Sequence, residues 1–320
     1  MIERQLTFRL LRVYITLVQT GSITETAKRL HLTQPTVSIQ LKKLQETIGQ
    51  PLYFFQQQSF VLTEAGNALY ATCQKIFACI DEFNAELGLV SQGHQGHISI
   101  AMVNTAQYIL PKLIGPFQKA FPDIEITLEI GNRESVLKRF EQGLDDLYVM
   151  SHPPSLEHAL AEPFLPNPLV MVAASDHPLA AKNQITLNEM QNERFLLREQ
   201  GSATRMMLDS FLRHHGATLK HSQQLASNEA IRVGISAGMG VAMLSQHVLT
   251  KQSEGLRILN VKGLPLVNHW YFIARNDRYM PKTALNFLAF CQSNVSDILG
   301  APWQGELEGK IVAFFENTTK

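Results

Sequence analysis

ITETAKRLHLTQPTVSIQLKKLQETIG, residues 23–49, decides how this chain begins to fold. It reads as two short helices joined by a tight turn. The first is predicted over 24–30, with Thr24 as its N-cap and Ala27 small enough for a second helix to cross closely. His31 and Leu32 make the turn. Thr33 caps the second helix, and Pro35 sits in its first turn, where a missing N–H is harmless. Along that helix Val37, Leu41, Leu44 and Ile48 recur at three- and four-residue spacing and form one apolar stripe. Gln34, Thr36, Ser38, Gln40 and Lys42 lie off it. An amphipathic helix pair inside an ordinary core would show the same stripe.

The surrounding charge separates the two readings. Residues 1–50 carry seven arginines and lysines against three glutamates, in a chain whose formal net charge is zero. A local positive excess on a neutral protein suits a polyanion. The short polar and cationic groups off the stripe are suited to base edges and phosphates. Lys28, Thr33, Gln34, Pro35, Thr36, Ser38, Gln40 and Lys42 are therefore the candidate contacts to a double-stranded DNA operator.

Composition narrows the alternatives. A length of 320 residues with 45% hydrophobic content supports two or three packed domains. No apolar run is long enough to span a bilayer, and Arg9, Arg12 and Gln19 interrupt any apolar segment near the start. The chain is expected to be cytoplasmic, with no membrane partner. Its three cysteines, Cys73, Cys79 and Cys291, form no CxxC pair and do not suggest a disulfide framework.

The segment AKRLHLTQPTVSIQLKKLQETIG, followed by PLYFFQQQSFVLTEAG and then a long helical stretch, resembles LysR-type transcriptional regulators. The order of segments fits that family to about residue 295. The resemblance implies an α/β protein with an N-terminal winged helix-turn-helix and a two-lobed effector domain shaped like a periplasmic binding protein. It also implies RNA polymerase as a further partner. One departure concerns the wing, where the family usually carries arginines. Here the matching places are Phe55, Gln58 and Ser59, so weaker phosphate contact and a shallower salt dependence are expected.

From about residue 63 to 92 a helical period continues. Leu69, Cys73, Ile76, Ile80, Phe83, Leu87 and Val90 follow alternating four- and three-residue steps, a heptad seam. The stripe looks too narrow for burial in a globular core, so this helix is expected to pair with a second copy, in a homodimer or homotetramer. Two recognition helices would then read two half-sites. SQGHQG is the predicted hinge. The expected organisation is 1–62 winged helix-turn-helix, 63–92 linker helix, and 93–295 effector domain. Within the last, lobe I covers about 96–163 and 266–295, and lobe II about 164–265. No role is assigned to 296–320.

After Gly96, strand-like and helix-like segments alternate, which predicts a parallel sheet with crossover helices. Ligands of such folds bind near strand ends and helix N-termini. Three segments fit: VNTAQY with Asn104 and Thr105, GNRES with Asn132 and Arg133, and GSATR with Ser202, Thr204 and Arg205. Free N–H groups, hydroxyls and arginines at helix starts suit a small anionic metabolite. Ser151, His152 and Asn228 are weaker candidates. Thr105 and Ser202 could instead be simple caps, and Arg133 could pair with Glu134 or Glu129.

NTAQYILPKLIGPFQKAFPDIEITLEIGNRESVL with DLYVMSHPP further resembles the LysR subgroup that controls carbon dioxide fixation and inorganic-carbon uptake. The subgroup's threonine-alanine-lysine-tyrosine stretch reads Thr105-Ala106-Gln107-Tyr108 here. Its glycine-serine-glycine-threonine-arginine loop reads Gly201-Ser202-Ala203-Thr204-Arg205. The resemblance implies a phosphorylated effector such as ribulose bisphosphate or phosphoglycolate. A regulator of another pathway with a carboxylate effector is the alternative, and a solute-binding protein a more distant one. No catalytic motif stands out, and no cofactor or metal is implied. Gly234, Gly238 and Gly240 end a helix rather than open one, the reverse of a phosphate loop. His94, His97, His214, His215 and His221 lack partners at metal-ligand spacing.

Overall fold

The computed structural model describes residues 6–56, 59–86, 93–249, 255–300 and 311–318. It divides into two compact units, residues 1–87 and 88–320.

The first unit packs four helices and a hairpin. Helix α1 (Phe8–Thr20) buries Leu10, Val13, Tyr14 and Leu17 and stops at Gly21, whose φ of 64° is left-handed. Helix α2 spans Ile23–Arg29. Its cap is Ser22 rather than the expected Thr24: the Ser22 hydroxyl accepts from the Glu25 N–H. Both residues carry a hydroxyl, and only the backbone at Ser22 is extended as a cap requires. Helix α3 spans Gln34–Ile48, capped by Thr33 and ended by left-handed Gly49. Val37, Leu41 and Leu44 are fully buried on it, as the stripe predicts. Strands β1 (Tyr53–Gln56) and β2 (Ser59–Leu62) pair antiparallel to form the wing.

Helix α4 (Glu64–Glu86) follows. Its third residue is Gly66, where any Cβ would overlap the Leu52 carbonyl oxygen, and the Gly66 carbonyl accepts from the Tyr14 hydroxyl at 2.8 Å. Most of the seam expected to face a second copy lies instead on the core of its own unit. Cys73 is fully buried in the core of this unit, and Leu69, Ile76 and Ile80 pack against that core. Phe77, outside the heptad pattern, is also buried there, with the Arg12 guanidinium 3.9 Å over its ring. A helix lying on its own domain explains these first turns. Of the described seam positions only Phe83 is strongly exposed, at 56%. Leu87 and Val90 lie outside the described residues.

The second unit opens with β3 (Gly96–Val103), a 3-10 turn (Asn104–Tyr108), α5 (Leu110–Ala120), β4 (Ile124–Gly131), α6 (Arg133–Gln142), β5 (Leu147–Met150) and β6 (Ala159–Pro166). The chain then passes to a second lobe: β7 (Leu169–Ala174), β8 (Arg194–Leu197), α7 (Ala203–His214), β9 (His221–Gln224), α8 (Asn228–Ser236), β10 (Ala242–Ser245) and β11 (Leu256–Leu259). It returns through β12 (His269–Arg275) and α9 (Lys282–Leu299), and α10 (Ile311–Thr318) follows. The two crossings are hydrogen-bonded to each other, Asn167 N–H to the Asn268 carbonyl and Leu169 N–H to the Leu266 carbonyl.

The sheets are mixed, not uniformly parallel as the alternation suggested. The first runs β4-β3-β5-β12-β6, with β3, β4 and β5 parallel and β12 antiparallel to both its neighbours. Strand β12 re-enters from the second lobe, so it runs opposite to the strands that left the first. In the second lobe β10-β7-β11 is antiparallel throughout, beside the short parallel pair β8-β9. Residues 311–318 also acquire a place. Ile311 and Phe315 of α10 are buried in the lobe I core, which also holds Trp270, Phe272 and Phe287. No described helix is long and apolar enough to cross a membrane.

Candidate functional site

On the first unit, α3 presents the polar groups singled out in the sequence unevenly. Gln34, Pro35, Ser38 and Lys42 are exposed. The Gln34 amide donates to the Thr24 hydroxyl at 2.7 Å, which leaves its carbonyl oxygen as an acceptor. Thr33 and Thr36 share a 2.8 Å hydroxyl bond at the helix start. Lys28 and Lys42 are exposed and lie 2.7 and 3.9 Å from Glu25 and Glu46, exposed pairs that hold a lysine only weakly. Gln40 departs from expectation: it is half-buried, and its Oε1 is buried without a hydrogen-bond partner among the described residues. In the wing, Phe55 packs its ring on Tyr53 and Phe60. Gln58 lies outside the described residues, as does the side chain of Ser59.

The second unit holds a cavity between its lobes, with about 310 Å³ of empty space that includes open solvent. Its wall brings together Asn104, Thr105, Asn132, Arg133, Ser151, Ser202 and Thr204 from the sequence-level set. The local fold explains the convergence. Asn104 and Thr105 are the first two residues of the 3-10 turn after β3, Asn132 caps α6 through the Ser135 N–H, and Ser202 opens α7. Ser202 makes no side-chain cap bond, so its buried hydroxyl is available to the cavity. Gly201 makes the preceding turn with a left-handed φ of 82°. A side chain there would press on Glu134 of the other lobe.

Three sequence candidates do not line the cavity. Arg205 pairs with Asp209 along α7, with both carboxylate oxygens 3.0 Å from its Nε. His152 offers its carbonyl oxygen to Arg133 Nε at 3.2 Å, while burial and the Arg133 charge lower its imidazole pKa. Asn228 is buried behind the wall. It accepts from Arg198 Nη1 at 2.5 Å and donates to the Thr105 hydroxyl at 3.0 Å, so it ties lobe II to lobe I.

Five lining residues are new: Val103 and Ala203, inside the segments already singled out, and Arg198, Asn167 and Trp270 from outside them. Arg198 is 4% exposed and bonded to the Glu199 carboxylate at 2.8 Å through both Nε and Nη2. An arginine directly after the buried strand FLL is the one signal of it in the sequence. The Asn167 amide oxygen accepts from the Ser245 hydroxyl at 2.6 Å. Trp270 is fully buried, and its indole N–H has no hydrogen-bond partner among the described residues.

The wall therefore presents donors. Asn132 and Asn167 use their amide oxygens elsewhere, which turns their NH2 groups to the cavity. The Thr105 oxygen accepts from Asn228, so its own proton remains to be given. The terminal nitrogens of Arg133 hold no hydrogen bond among the described residues, and no carboxylate side chain lines the wall. Together with the N-termini of α6 and α7, this is an environment for oxyanions.

Two family models match. "Bacterial regulatory helix-turn-helix protein, lysR family" covers residues 8–67, and "LysR substrate binding domain" covers 91–296. The chain is 36% identical over 280 residues to the HTH-type transcriptional activator CmpR of Synechocystis, covering 87% of this chain and 92% of that one. It is 35% identical over 283 residues to a RuBisCO operon transcriptional regulator of Acidithiobacillus ferrooxidans, covering 88% and 92%. Among solved structures, the CcmR regulatory domain of Synechocystis in complex with 2-PG is 34% identical, with a TM-score of 0.57, covering 64% of this chain and 96% of that one. The full-length CbnR structure in complex with its target DNA shares the fold, with 18% identity, a TM-score of 0.64, and coverage of 90% and 99%.

Proposed function

The chain belongs to the LysR family of transcriptional regulators, in the group of CmpR and CbbR, and we propose that a phosphorylated carboxylic acid bound between the lobes controls its grip on operator DNA. The observation that carries this reading is a wall rich in donors that no carboxylate side chain lines among the described residues. Arg133 in lobe I faces a lobe II wall made of Ser202, Thr204 and the start of α7. A ligand with an oxyanion at each end would satisfy both poles, and phosphoglycolate has that form. The CcmR complex with 2-PG supports the choice.

The mechanism follows from where the donors sit. A ligand held by both lobes stabilises the closed arrangement by its differential affinity for it. Closure would shift the geometry of paired copies and so the spacing or bend of the bound operator. On this reading α3 reads the major groove through Gln34, Ser38 and neighbouring residues, and Lys28 and Lys42 hold phosphates. The copies pair through the later turns of α4, beginning near Phe83, and the operator-bound assembly engages RNA polymerase. The controlled genes serve carbon fixation or inorganic-carbon uptake.

The test is fluorescence anisotropy of full-length protein on a duplex it has itself enriched from random sequence, with and without 2-phosphoglycolate. An allosteric coupling of ordinary size changes operator affinity by about five- to 150-fold. A shift with a dicarboxylate and none with 2-phosphoglycolate would move the effector to another class.

A further inference from the structure

Helix α3 carries an apolar side chain where a regulator meets its operator. Ile39 is 68% exposed, although Val37 and Leu41 on either side are fully buried. At 3.6 residues per turn each step rotates 100°, so Ile39 stands about 200° from Val37, opposite the buried stripe. Pro35, Lys42 and Lys43, all exposed, flank it on that outward face. Gln40, by contrast, falls at the edge of the buried side, in accord with its half-burial. The centre of the outward face is thus an isoleucine bordered by two lysines.

We infer that Ile39 is a specificity-determining residue that packs against the C5 methyl group of a thymine in the major groove of the operator. The lysines direct this face to a phosphate-lined groove. Within that groove the thymine methyl is the one apolar group that the base pairs present. A β-branched side chain on a helix is nearly fixed at χ1, so it offers its methyl groups without much loss of rotamer freedom. Exposure of an isoleucine at this position is then explained by the occupant rather than by chance surface composition.

Deoxyuridine tests this directly, since it removes the methyl and nothing else. Full-length protein enriches duplexes from a random pool, and each thymine of the winning sequence is replaced singly by deoxyuridine. One buried methyl corresponds to about fourfold in affinity. Wild type should lose about that factor at one thymine in each half-site. Ile39→Ala, which leaves the helix core untouched, removes the contact in both half-sites, so it should lose about that factor twice over, roughly 16-fold, on the thymine duplex and nothing further with deoxyuridine at that thymine. Equal melting temperatures of the two proteins check that the variant is folded. Indifference of wild type to every deoxyuridine would overturn the inference, and so would a penalty that persists in Ile39→Ala. A wild-type protein that enriched no duplex at all would sink the DNA-binding reading and this inference with it.

Discussion

Substituting Asn228 separates stability from effector binding. Its amide joins Arg198 of lobe II to Thr105 of lobe I, and all three residues are buried. Asn228→Ala leaves a guanidinium N–H without its acceptor and a hydroxyl without its donor. A hydrogen bond to a charged group contributes about 1.5–3 kcal/mol and a neutral one about 0.5–1.5, so the loss should be roughly 2–4 kcal/mol. Asn228→Asp behaves differently. Its carboxylate still accepts from Arg198, and the Thr105 hydroxyl can turn to donate to it, so most of the stability returns. That turn removes the Thr105 proton from the cavity, and a new negative charge arrives behind the wall. A like charge about 6 Å from the ligand, one hydroxyl behind the wall, costs roughly 0.7 kcal/mol when hydrated and about 3 kcal/mol at an effective dielectric near 20, and the lost Thr105 hydrogen bond adds to it. Affinity for 2-phosphoglycolate should therefore fall at least fivefold. Urea denaturation followed by tryptophan fluorescence gives the first quantity and isothermal titration the second. An Asn228→Ala variant destabilised by less than about 0.5 kcal/mol, or an Asn228→Asp variant that binds like wild type, would refute the relay.

Two further predictions concern stability. His247 is buried beside the lobe crossing with its Nε2 2.8 Å from the Pro166 carbonyl oxygen, and desolvation, helped by Lys112, lowers its pKa to about 4. The unfolded imidazole takes its proton near pH 6.5, so the full contribution is present above that pH. It is lost as pH falls towards 4, by up to about 3 kcal/mol. The melting temperature of wild type relative to His247→Gln should drop across that window, and a constant difference would contradict the assignment. Phe315→Ala should cost about 3–5 kcal/mol because the ring is fully buried in the lobe I core. A loss under about 1 kcal/mol in urea melts would show that α10 is not part of that core.

The helix-turn-helix was legible because its signals are local. A hydroxyl cap, a proline in the first turn and a 3.6-residue stripe all fall within one helix length, and Val37, Leu41 and Leu44 are buried as that period requires. The choice between Ser22 and Thr24 was not legible, since both can cap and only the backbone decides. Strand β6 escaped because ALAEPFLP holds two prolines, which an edge strand tolerates and an interior strand does not. The sheet directions depend on where the chain re-enters, which no window of sequence contains. The seam on α4 misled because one periodic stripe serves two surfaces: Cys73, its thiol pKa pushed up to about 12 by burial, faces its own core, while Phe83 faces outward.

The cavity divides in the same way. Asn104, Thr105, Asn132, Arg133, Ser202 and Thr204 stand at strand ends and helix starts, and such positions can be read from pattern. Arg198, Asn167 and Trp270 arrive from three separate elements and meet only in the folded lobes. Arg205 was indistinguishable from a ligand contact in GSATR, but one step along α7 turns it to Asp209.

The central claim, that a phosphorylated acid binds between the lobes through donors such as Arg133, is tested most directly by isothermal titration of 2-phosphoglycolate into full-length wild type and Arg133→Ala. The account predicts one site per chain. Loss of a charge-assisted hydrogen bond of about 1.5–3 kcal/mol should weaken the variant by roughly tenfold or more. No binding to wild type, or equal affinity in the two proteins, would contradict it.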